Sequence, residues 1–86
     1  MIRVKVETVF NAADTLTPEF AAKLSDCAAK FQSVVSLDCG GKQLQLDSLI
    51  CILALDLYRG VKVTIVAEGA DAEAAAGAVR SIIAGE

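Results

Sequence analysis

The chain has 86 residues, 55% of them hydrophobic, and a formal net charge of −3. It contains no histidine and no tryptophan, so phosphate, proton or metal chemistry through an imidazole is excluded. No Lys/Arg cluster and few aromatic side chains are present, which excludes the basic face and stacking platforms that nucleic acid requires.

The first element is predicted from Ile2 to Phe10. Ile2, Val4 and Val6 alternate with Arg3, Lys5 and Glu7, the pattern of a half-buried strand with one wet face. Residues Asn11 to Asp14 read as a loop. Thr17-Pro18-Glu19 then starts a helix. The Thr hydroxyl caps a backbone N–H, Pro needs no N–H at the first helical position, and Glu complements the positive helix end. The helix is predicted to run to about Phe31, with Phe20, Leu24, Cys27 and Phe31 in its apolar stripe beside Ala21 and Ala28.

Ser33 to Cys39 reads as a strand, Gly40-Gly41 as a hairpin turn and Lys42 to Leu46 as the returning strand. Leu49 to Leu55 is apolar throughout, and periodicity does not separate strand from short helix there. Asp47-Ser48 in front of it favours a helix through capping. Asp56 to Gly60 is a connection, Val61 to Ala67 a strand, and Ala72 to Ala84 a closing helix. Asp71 is expected to cap that helix, and Ala75, Val79, Ile82 and Ile83 to pack it. The order is strand, helix, strand, strand, helix, strand, helix, an open-faced α/β sandwich in one domain spanning residues 1–86.

Cys27, Cys39 and Cys51 form an odd set whose spacing fits no zinc motif, so structural thiols are expected, with no metal and no organic cofactor. The alternating start is unlike a secretory leader and the longest apolar run is far too short for a membrane span. A cytoplasmic protein without membrane contact is expected. No phosphate-binding glycine loop and no Ser-Lys motif appears, and the acidic residues at predicted helix starts are explained by capping, so no enzyme activity is expected.

The block from Leu46 to Asp71, with the preceding order of elements, resembles the HPr family, the small phosphocarriers of the sugar phosphotransferase system. The resemblance implies a βαββαβα fold, a four-stranded antiparallel sheet with three helices on one face, and makes Leu49 to Leu55 a helix. The family carries Gly-Leu-His-Thr-Arg-Pro-Ala-Ala at its first helix start. Here the matching stretch is Thr15-Leu16-Thr17-Pro18-Glu19-Phe20-Ala21-Ala22. Thr17 stands at the histidine position and Glu19 at the arginine position, so no catalytic residue is expected. A Glu repels a phosphoryl group where an Arg neutralises it.

Ser48 matches the family's regulatory serine, and phosphate there would meet the positive end of a helix. Its plainer role is that of a cap, alone or with Asp47. By family position Leu49, Ile50 and Leu53 face outward while Ile52 and Leu55 pack inward. Such a patch marks a partner surface, is covered by neighbouring loops, or drives self-association. The resemblance implies protein partners, with an HPr kinase or a transcription regulator as candidates.

Overall fold

The computed structural model describes residues 2–46 and 57–86. Strand β1 (Arg3–Val9) is followed by helix α1 (Pro18–Ala29), by the hairpin of β2 (Val34–Cys39) and β3 (Lys42–Gln45), by β4 (Lys62–Glu68), and by helix α2 (Ala72–Ala84). The third expected helix, on Leu49 to Leu55, lies outside the described residues.

The strands form one sheet in the order β1-β4-β2-β3, antiparallel throughout. The last strand in sequence is therefore inserted between the first two. Its register sets Val6 against Ile65 on one side and Leu37 against Ile65 on the other. Alternation places Val35, Leu37, Val63, Ile65 and Ala67 on one face, where they are buried with Ala21, Leu24 and Cys27 of α1 and Ala75, Val79 and Ile83 of α2. Both described helices thus cover the same face. Burial pushes the Cys27 thiol up, with Lys30 pulling weakly the other way, in keeping with a thiol used for packing.

The hairpin follows its sequence signal. Gly40 and Gly41 both take positive φ, 61° and 84°, the conformation of a tight two-residue turn that matches strand twist. Helix α1 ends two residues earlier than its periodicity suggests: Phe31 lies past the C-cap Lys30 and still packs against the core from the following turn.

Asp71 departs from its expected role. It occupies the N-cap position of α2, and its carbonyl accepts from the Ala75 N–H at 2.9 Å, but its side chain makes no cap hydrogen bond. The carboxylate accepts instead from the backbone N–H groups of Gln32 and Ser33, both at 2.9 Å, and from the Ser33 hydroxyl. Three donors from the turn before β2 outcompete the one or two that the helix end could offer, since charge-assisted hydrogen bonds add where donors converge. The approach is close at Gly69, whose φ is 148°: a Cβ there would stand 2.6 Å from Ser33 Oγ.

The Ser33 hydroxyl foremost, then the Gln32 N–H, holds the Asp71 carboxyl below the usual carboxylate range. A carboxyl depressed in the folded state stabilises the protein above its unfolded pKa of about 3.9 and loses that contribution as pH falls through the folded value. Asp71→Asn is therefore expected to lower the thermal midpoint at pH 7, with the gap from the parent closing below about pH 3. Thermal denaturation followed by circular dichroism across this range checks it, and a gap independent of pH contradicts it.

Candidate functional site

The residues singled out at the first helix start lie on a segment tied down along its length. Beyond the β1–β4 ladder, Phe10 N–H donates to Val61 O and Gly60 N–H to Phe10 O, each at 2.9 Å. Arg59 N–H donates to Asp14 O at 3.0 Å and Leu16 N–H to Leu57 O at 3.1 Å, with Thr15 and Tyr58 forming an isolated bridge. The pairing of β1 with β4 thus continues, irregularly, as far as the residue before the cap.

Side chains reinforce this clip. The Arg59 guanidinium donates to Asp14 Oδ1 at 3.1 Å, to Asn11 O at 3.2 Å and to Asn11 Oδ1 at 3.0 Å. Both charged partners are substantially exposed, so the ion pair orients the loop more than it stabilises it. Below the loop, the Phe10 and Phe20 rings meet edge to face, 5.3 Å apart and at 81°. Phe10 is fully buried, and this contact anchors the first turn of α1 in the core.

Thr17 caps α1 as its sequence indicates. Its Oγ1 accepts from the Phe20 N–H at 3.2 Å and its carbonyl accepts from Ala21 N–H at 2.9 Å. Its backbone is extended, and Pro18 follows in the first turn. Glu19 is exposed in that turn, where its charge suits the helix dipole. The same charge opposes an added anion at this helix end. Glu19 also borders an open groove of about 440 Å³ between α1 and Ile82 of α2, lined further by Lys23, Asp26 and Lys30.

Thr17 and Glu19 are therefore brought to one place. Ser48, Leu49, Ile50 and Leu53 lie outside the described residues. The clip from Leu57, Tyr58 and Arg59 went unread in the sequence. Its only local signal is Arg59-Gly60 opposite a loop rich in Asn and Asp, and backbone pairing across more than forty residues leaves no periodic mark. Among the described residues no group of three acidic or cysteine side chains comes together to hold a metal, and no helix is long and apolar enough to cross a membrane.

Residues 4–85 match the family model described as the PTS HPr component phosphorylation site. Three solved structures share the fold. A phosphocarrier protein HPr from Bacillus anthracis strain Ames is 26% identical with a TM-score of 0.89, covering 94% of this chain and 96% of its own. HPr-C-His from Thermoanaerobacter tengcongensis is 28% identical with a TM-score of 0.85, covering 93% and 90%. The Bacillus subtilis catabolite repression protein Crh, described as a domain-swapped dimer, is 28% identical with a TM-score of 0.75, covering 96% and 93%.

The capping geometry carries a measurable expectation. Thr17→Ala removes the acceptor for Phe20 N–H and is expected to cost about 1 kcal/mol, a drop of roughly 4–8 °C in thermal midpoint for a domain of this size. Thr17→Ser, which keeps the oxygen, should stay near the parent. Calorimetry of the two variants checks this, and equal midpoints for Ala and Ser contradict it.

Proposed function

The chain belongs to the HPr family, whose members are phosphocarriers and not enzymes, and from that premise we propose a regulatory protein that acts through protein contacts and carries no phosphate on its first helix. The observation that supports this most is the start of α1. The helix cap is kept by Thr17, while the chain has no imidazole to accept a phosphoryl group and presents Glu19 where a supporting cation belongs. The likeness to Crh, named for catabolite repression, supports a regulatory role on this scaffold.

In this reading Ser48 is the switch. Phosphate added there places charge at the edge of the apolar run and alters the surface that Leu49, Ile50 and Leu53 present to a protein partner. An HPr kinase supplies the phosphate, a transcription regulator is the candidate reader, and the setting is cytoplasmic. A second reading keeps the same surface without the switch: Asp47 already sets a negative charge beside Ser48, which favours a plain interaction module docking through the apolar run.

Incubation with an HPr kinase and ATP separates the two. The switch reading expects a mass gain of one phosphoryl group, lost in Ser48→Ala. An unchanged intact mass sinks the switch and leaves the plain module. Leu53→Asp is expected to abolish partner capture under either reading with the fold intact by circular dichroism.

A further inference from the structure

We propose that the sheet face turned away from α1 and α2 is a self-association surface whose occupant is a second copy of this chain, related by a two-fold axis. The register fixes which side chains share this face. Arg3 lies beside Glu68, Lys5 beside Val66, Glu7 beside Thr64, and Val9 beside Lys62. On β2, Ser36 extends the Lys5 row and Asp38 the Glu7 row.

The charges on this face are balanced. Arg3, Lys5 and Lys62 stand against Glu7, Asp38 and Glu68. A strongly acidic or strongly basic partner gains nothing from such a surface, because each attraction is matched by a repulsion. A second copy does gain, through the placement of the charges along the strands.

The axis runs parallel to the sheet and across the strands, halfway between the two stacked sheets and midway between the Lys5 row and the Glu7 row. Rotation about it sets each Lys5 opposite the second copy's Glu7, and each Lys62 opposite the second copy's Glu68. Each pairing occurs twice. Arg3 meets Val9, Asp38 meets Ser36, and no like charges face each other. The stacked sheets would lie about 10 Å apart with strands within about 30° of each other, a spacing that Lys and Glu side chains span from both sides.

Two further features suit contact. Val9, 42% exposed, is an apolar rim residue without cover. Arg3 already touches Glu68 of its own chain at 3.5 Å, yet their side chains remain 63% and 50% exposed, which leaves donors and acceptors for a neighbour.

The face is small. Four rows at about 3.4 Å rise per residue and strands about 4.8 Å apart give roughly 300 Å² of footprint, below the ~800 Å² per partner of a stable complex. The dimer is accordingly weak and salt-sensitive, with dissociation in the high micromolar range.

Sedimentation velocity from about 10 μM to about 1 mM, in low salt and in about 0.5 M salt, tests the surface. The expected result is a monomer–dimer equilibrium weakened about tenfold by salt and about tenfold or more by either Lys5→Glu or Glu7→Lys, since each reversal turns two attractions into two repulsions. The double variant Lys5→Glu with Glu7→Lys restores the pairing with inverted sign and should return to within about threefold of the parent. Circular dichroism confirms that these exposed substitutions leave the fold unchanged. A chain that stays monomeric at the highest concentration overturns the proposal. So does a dimer that ignores both single reversals, as a strand-swapped dimer would.

Discussion

The pairing of β4 with β1 is the interaction on which the rest of the molecule depends. It begins at Arg3 against Glu68, runs the length of both strands to Val9 against Lys62, and continues past the sheet through Phe10, Val61 and Gly60 to the contact of Leu16 with Leu57. One continuous seam therefore completes the sheet and delivers the start of α1 to a fixed place. β4 also pairs with β2, so the same strand closes the sheet on its other side. Its residues Val63, Ile65 and Ala67 supply the floor on which both described helices rest. These pairings join residues far apart in sequence, so the seam carries a loop-closure cost that the buried contacts along it must offset.

That seam explains why the start of α1 is so firmly held on a chain that contains no histidine. Thr17 satisfies one backbone donor, Pro18 removes another, and Phe20 plants the turn against Phe10. None of these roles needs the imidazole or the guanidinium that the family's motif places here. Stability and chemistry are separable at this point of the fold, so the cap and its packing stand with an anion, Glu19, in the first turn.

What the sequence made legible was local. The cap Thr17-Pro18, the Gly40-Gly41 turn, the alternation of β1 and β4, and the bounds of α2 all follow from short-range chemistry, and the structure has them. Strand order was not legible, because alternation marks which residues are buried and not which strand lies beside which. Asp71 was misread for the same reason. An acidic residue before an alanine-rich helix has the local pattern of a cap, and its true donors, Gln32 and Ser33, sit 39 and 38 residues away. Val66 and Ser36, paired in register on the face without described helices, are nearly as buried as the core, which the alternation of either strand alone does not indicate.

The central claim is that this is an HPr scaffold from which histidine phosphotransfer has been removed at Thr17 and Glu19, leaving protein contact as its mode of action. The most direct measurement exposes the chain to a working sugar phosphotransferase system with its phosphoryl donor, beside a histidine-bearing HPr as control, and follows intact mass under alkaline conditions that preserve phosphohistidine. The account predicts one added phosphoryl group on the control and none on this chain. A phosphoryl group acquired by this chain from that system would contradict it.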